Sequence, residues 1–198
     1  MKSLKIYKMK VIKYKNHPYS LTHLGNDSTK KDDVYFKMAE TIATLSKDQN
    51  TQVGALIIDV NGKIVSMGYN GCPSKFGANK NSNDSIVPHN REDQQITLMN
   101  RYDYLGVKGN KFQYNKYPFM IHSEQNCLLT TSDLNRLIGA TIYCTHYPCT
   151  VCANMIAQAG IKNVKVLDNR HGTFEDTIVP TLYVYENMGI NLFVYIKE

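Results

Sequence analysis

Apolar residues recur along the chain at spacings that change from helical to alternating and back, and these changes predict its elements. Asp32 and Asp33 open a segment in which Val34, Met38, Ile42 and Leu45 follow at helical spacing. A helix is therefore expected to about Ser46, with the acidic pair in its first turn, where the helix dipole favours negative charge. Lys47 to Thr51 is a polar loop. Gln52 to Asp59 is rich in β-formers, Asn61-Gly62 is a strong turn dipeptide, and Lys63 to Gly68 returns, which predicts a hairpin. Gly68-Tyr69-Asn70-Gly71-Cys72-Pro73 follows as a glycine-rich loop whose backbone can approach a ligand closely.

Residues 74 to 117 show the least periodicity, and within them a helix is expected between about Arg91 and Leu105. Pro118 to Ile121 leads into a helix from His122 to about Ser132. Thr141 to Thr145 reads as a strand, Cys149 to Ala159 as a helix ended by Gly160, and Asn163 to Leu167 as a strand. Thr173 to Asn187 reads mostly as helix, interrupted or delayed by Pro180; Gly189 ends it, and Asn191 to Ile196 is a final strand. Helix, hairpin, then strands alternating with helices predict an α/β protein with one mixed sheet of about five strands and helices on both faces. Before this domain, residues 1–31 alternate lysine with Ile, Tyr, Met and Val, which suits an edge strand or an arm on a neighbouring subunit. The chain is thus expected to comprise a basic extension over 1–31 and one domain over 32–198, with an inserted loop at about 77–114.

Composition changes this picture in two respects. The 198 residues carry a net charge of +6. Eight lysines against Asp27 give residues 1–31 a charge of +7, so the remaining 167 sum to −1. Such a tail can touch nucleic acid or an anionic surface, but no nucleic-acid-binding motif accompanies it, and a solvated extension is the expectation. The five cysteines form no paired framework, which suits a reducing cytosol and predicts a cytoplasmic protein, in the host's cytoplasm if the lysine-rich bias is viral. No apolar run approaches the roughly 18 residues of a membrane helix.

Two stretches carry the chemistry: His122-Ser123-Glu124 and Pro148-Cys149-Thr150-Val151-Cys152. One imidazole and two thiolates are what Zn²⁺ takes at a catalytic site, leaving a fourth position for water. Glu124, two residues after the histidine, is then free to move protons, and H-x-E followed by P-C-x-x-C is the mark of zinc deaminases. Cys149 and Cys152 lie one turn apart at a helix start, where both sulfurs point the same way and thiolate is favoured. A closed structural knuckle is the other arrangement, with Cys127, Cys144 or His146 as fourth ligand. It leaves Glu124 without a task, and Cys127 would face away, about 500° round the helix from His122. Cys72, Cys127 and Cys144 read as small buried hydrophobes, and His89 has no neighbours for a second zinc site.

Beyond these motifs, Ser46-Lys47-Asp48-Gln49-Asn50-Thr51-Gln52-Val53-Gly54-Ala55 closely resembles the start of deoxycytidylate (dCMP) deaminases. So do Gly68 through Pro73, Lys116-Tyr117-Pro118 before His122 through Asn126, and Pro148-Cys149 through Lys162. The likeness spans about residues 32–196, excluding much of 77–114. The metal motif alone points only to the wider cytidine deaminase superfamily; the two N-terminal segments narrow it to dCMP. The resemblance implies a cytidine deaminase-like three-layer α-β-α sandwich that converts dCMP to dUMP for thymidylate synthesis. It carries His122, Cys149 and Cys152 as zinc ligands and Glu124 as proton shuttle. Asn70 resembles the asparagine that contacts the sugar, with Val53 and Ala55 beside the pyrimidine. It further implies a homo-oligomer, hexamer or dimer, with dCTP and dTTP as effectors, Mg²⁺ accompanying them, and Gly68, Tyr69 and Gly71 contributing to the effector site. Arg170 is the first candidate for the substrate phosphate and Arg91 the second. The sequence departs from the family at Ser123, where alanine is common, and at Cys127-Leu128. Cytidine, dCTP or tRNA adenosine as substrate, and a zinc-containing nucleic-acid-binding module, are the competing readings; neither a membrane nor nucleic acid is expected as a partner.

Overall fold

The computed structural model describes residues 7–9, 30–48, 51–73, 120–167 and 174–197. The expected helix from Arg91, the loop at 77–114, His89, Arg91, Arg170 and most of the basic extension lie outside them. The elements are β1 (Tyr7–Met9), α1 (Lys30–Ala43), β2 (Gly54–Ile58), β3 (Ile64–Tyr69), α2 (Ser123–Leu129), a 3₁₀ turn (Leu134–Leu137), β4 (Thr141–Cys144), α3 (Thr150–Gln158), β5 (Asn163–Leu167), α4 (Phe174–Asn187) and β6 (Asn191–Lys197). The strands form one sheet in the order β1-β6-β5-β4-β2-β3. β4, β5 and β6 run parallel, whereas β2 is antiparallel to β3 and β4. The strand beyond the expected five is β1, which pairs antiparallel with the end of β6 and places the start of the basic extension at the sheet edge. Among the described residues no helix is long and apolar enough to cross a membrane.

Alternation along each strand sorts the core into two layers. Ala55, Ile57, Ile142, Cys144, Val164, Val166, Leu192 and Val194 face one side and pack with Cys127 of α2, Ala153 and Ile156 of α3, and Ile178, Leu182 and Tyr185 of α4. Leu56, Ile58, Tyr143, Leu167 and Tyr195 face the other side and pack with Phe36 and Ala39 of α1. The result is the three-layer sandwich, α1 on one face and α2, α3 and α4 on the other. The hairpin turns at Gly62, which adopts φ 76°, while Asp59 Oδ1 accepts from the N–H groups of Asn61 and Lys63. Arg136 of the 3₁₀ turn donates to Asp59 Oδ2 at 2.6 and 3.0 Å and holds that carboxyl below the usual range.

Three local expectations change. The buried stripe of α1 is Asp32, Phe36, Ala39 and Ala43, while Val34 and Leu45 are exposed. One cause is Gly54, over which α1 passes so closely that a Cβ there would run into the Ala39 carbonyl oxygen; the residues of α1 at that crossing are the small Ala39 and Ala43. α2 stops at Leu129 rather than near Ser132, with Thr130 as its cap. Pro180 neither interrupts nor delays α4, which runs through it with the loss of one backbone donor.

Asp32 does more than favour a helix start. Its buried carboxylate accepts from Tyr143 (2.6 Å), Lys165 (2.7 Å) and Tyr195 (3.1 Å), one donor from each of β4, β5 and β6. The Lys165 ammonium also lies 5.3–5.8 Å from the ring centres of Tyr143, Phe193 and Tyr195. Burial, together with the Asp32 carboxylate, pushes both phenols up, so they stay protonated as donors. Asp32→Ala strands the ammonium beneath α1. The expected result in urea denaturation is a loss of about 3–5 kcal/mol, the usual range when one partner of a buried pair is removed.

Candidate active site

β3 and β4 run in the same direction, and their carboxyl ends flank the start of β2. The crevice outside the carboxyl ends of strands is where open α/β sheets bind ligands. Two helices begin there. α2 starts just after His122 and α3 just after Cys149, and both capping residues have extended backbone. The Gln125 side chain accepts from the His122 N–H at 2.8 Å. Ala153 donates to the Cys149 carbonyl at 2.8 Å, closing the first turn that carries Cys152. Thr181 of α4 donates to the Pro148 carbonyl at 3.2 Å and steadies the approach to Cys149.

α2 is seated by β3. At Gly68 a Cβ would lie 2.5 Å from the Ser123 carbonyl oxygen and 2.7 Å from the Cys127 nitrogen. An isolated glycine within a strand marks such a close approach. Asn126 donates to the Tyr69 carbonyl at 2.6 Å, and Gly71 exchanges two backbone hydrogen bonds with Ile121, next to His122. These contacts place His122 against the cysteine pair: its Nδ1 is 3.5 Å from Cys149 Sγ and 3.4 Å from Cys152 Sγ. A tetrahedral cation with ordinary Zn–N and Zn–S bonds needs an N···S edge of about 3.5 Å, so the three donors fit zinc. His122, Cys149 and Cys152 form the only group of three or more metal-ligating side chains among the described residues.

The three donors are coupled to one another through hydrogen bonds. Hydrogen bonds from Cys152 and His122 hold the Cys149 thiol down to about 4, whereas the Cys152 thiol, hydrogen-bonded to Cys149 and buried, is pushed up. The hydrogen bond to Cys149 raises His122. Glu124 is buried in the first turn of α2, and burial lifts its carboxyl above the usual range. Its Oε2 accepts from the Ser123 hydroxyl at 3.1 Å and from the Cys152 thiol at 3.8 Å. A carboxyl that binds a proton readily beside a cation site is equipped to carry protons.

The alternative fourth ligands are otherwise engaged. Cys127 is buried beneath α2, donates to the Ala55 carbonyl at 3.1 Å, and burial pushes its thiol up. Cys144 is buried in the sheet with its thiol likewise raised by burial. His146 pairs with the Thr145 hydroxyl at 3.3 Å. Cys72, half-buried, makes a 3.7 Å contact with Met120.

Asn70, Val53 and Ala55 lie at the same end of the sheet. The Asn70 side-chain oxygen accepts from the Val53 N–H at 2.8 Å, and its NH₂ donates to the Thr51 carbonyl at 2.9 Å. Asn70 therefore staples the segment entering β2, a role that the sequence did not suggest. Ser46 donates to the Asn70 carbonyl at 2.8 Å, and Thr145 takes the Gly54 N–H at 3.0 Å, fixing the same segment from either side. Gly68, Tyr69 and Gly71 use backbone groups and free space to seat α2 and its lead-in.

A mixed sheet with a zinc-fitted His-Cys-Cys group and a buried carboxyl at its strand ends defines a zinc-dependent hydrolytic enzyme. The sequence profile of the cytidine and deoxycytidylate deaminase zinc-binding region matches residues 29–168. The chain belongs to this family. It is 32% identical to a deoxycytidylate deaminase of Mus musculus over 166 residues, 80% of each chain. It is 31% identical to that of Homo sapiens over 175 residues, 84% of this chain and 85% of the relative. The crystal structure of the dCMP deaminase of cyanophage S-TIM5, in complex with dCMP and dUMP, superposes with a TM-score of 0.57 at 26% identity, covering 85% of this chain and 99% of that one.

Zinc analysis of the purified protein is expected to return about one ion per chain, with Cys149→Ser and Cys152→Ser retaining under about a fifth of it after dialysis. Gly68→Ala is expected to lower both zinc retention and thermal stability by lifting α2 from β3, at a cost of about 1–3 kcal/mol in denaturation.

Proposed function

We propose that the protein deaminates dCMP to dUMP and ammonia by hydrolysis at C4 of the cytosine. The observation that carries the reaction is the buried Glu124 carboxyl beside the His122, Cys149 and Cys152 group. The substrate assignment rests on the relatives, deoxycytidylate deaminases over most of their length, and on a neighbour crystallised with dCMP and dUMP.

The residues divide the work as follows. His122 Nδ1 and the two sulfurs would hold Zn²⁺, which lowers the pKa of water to about 7 and so supplies a nucleophile at neutral pH. Glu124 takes a proton from the attacking water and gives it to the ring nitrogen beside C4. It then moves a proton to the departing amino group, which leaves as ammonia while C4 gains the oxygen of water. Asn70, held by Val53 and Thr51, presents the segment carrying Val53 and Ala55 to the nucleotide and offers its amide to a sugar hydroxyl. Arg170, shortly after β5, and then Arg91 are the phosphate candidates, because each is a cation able to pair bidentately with phosphate.

The dUMP formed would feed thymidylate synthesis in the cytoplasm. Regulation by dCTP and dTTP with Mg²⁺, an effector site near Gly68, Tyr69 and Gly71, and a homo-oligomeric assembly complete the reading; its support is the likeness of these segments to dCMP deaminases.

Ammonia release from dCMP, followed with and without dCTP and dTTP, tests substrate and regulation together. Glu124→Gln is expected to retain zinc and lose about 10²–10⁴-fold in kcat, the usual worth of a general acid–base group. A panel of cytidine, dCTP and RNA should react more slowly than dCMP. Preference for any of them would overturn the substrate, and an unimpaired Glu124→Gln enzyme would overturn the role of the carboxyl.

A further inference from the structure

We propose that Ser123 is a positioning residue for Glu124: its hydroxyl holds Oε2 and thereby sets the orientation from which the carboxyl exchanges protons with substrate. The proposal rests on the deaminase reading above. Neighbouring positions on a helix point about 100° apart and do not ordinarily meet. The 3.1 Å contact between Ser123 Oγ and Glu124 Oε2 therefore joins two side chains that helical spacing alone would keep apart. Two staggered torsions and a broad terminal one give such a chain several rotamers, and one directed donor selects among them.

Two surroundings make that donor consequential. Ser123 is fully buried, with its backbone pressed against Gly68, so solvent has no route to replace a deleted hydroxyl. The same Oε2 also accepts from the Cys152 thiol, at the longer distance of 3.8 Å. A thiol is a weak donor, so the hydroxyl is the shorter and stronger of the two side-chain donors on Oε2 and the one that fixes its direction. Hydrogen bonds to a charged acceptor are the strong ones, and a misdirected proton carrier loses rate rather than affinity.

Ser123→Ala is expected to lower kcat about 10-fold, with KM for dCMP within about twofold and with zinc content and unfolding midpoint unchanged. In a Glu124→Gln background the same substitution should bring no further loss, because the group it acts through is gone. Crystals of Ser123→Ala should show the Glu124 carboxylate turned away from its position in the parent enzyme. An unchanged kcat, an unmoved carboxylate, or an equal loss in both backgrounds would overturn the proposal. Wild-type protein inactive on dCMP would overturn the deaminase reading and this proposal with it. Active wild type beside an unimpaired Ser123→Ala enzyme would overturn the proposal alone.

Discussion

Everything at the site depends on two helices starting within a few ångströms of one another. His122 precedes α2 and Cys149 precedes α3, and Nδ1 of the first stands 3.4–3.5 Å from the sulfurs of Cys149 and Cys152. Neither helix is long, seven and nine residues, so neither could hold that placement by intrinsic helicity. The sheet holds it instead. Gly68 lets α2 lie directly on β3, and the β4 end, bound to β2 through Thr145, delivers Cys149 to the same crevice.

The reverse face supports that arrangement. The donors on Asp32 come from three successive parallel strands, Tyr143, Lys165 and Tyr195, so one carboxylate ties the middle of the sheet to α1. Phe36 closes the same layer, with ring centres 5.3 Å from Tyr143 and 4.9 Å from Tyr195. Alternation along β4 therefore serves two purposes: Tyr143 fastens the back while Ile142 and Cys144 pack beneath the zinc-ligand helices.

The sequence made the chemistry legible because ligand identity and spacing are local properties. The fold class followed from the order of helical and alternating segments. What remained hidden depends on neighbours distant in the chain. The buried stripe of α1 could not be seen because Ala39 and Ala43 answer to Gly54, and apolarity alone pointed to Val34 and Leu45. Asp32 looked like a residue suited to a helix terminus because its three donors lie more than a hundred positions away. Ser123 looked like a neutral departure from alanine, since a contact between adjacent helical residues is not what helical geometry suggests. Gly68 did carry a signal, a glycine inside a strand pattern, but its meaning required the position of α2.

Gly71 and Ile121 exchange a pair of backbone hydrogen bonds at 3.0 and 2.8 Å, one residue before the histidine ligand. The two bonds tie the residue before His122 to the segment that follows β3, so the imidazole is anchored to the sheet from its N-terminal side as well as through α2. Both partners are backbone groups, so the tie holds whatever side chains stand at positions 71 and 121. The seat of the imidazole is thus built from main chain, which substitution alters least.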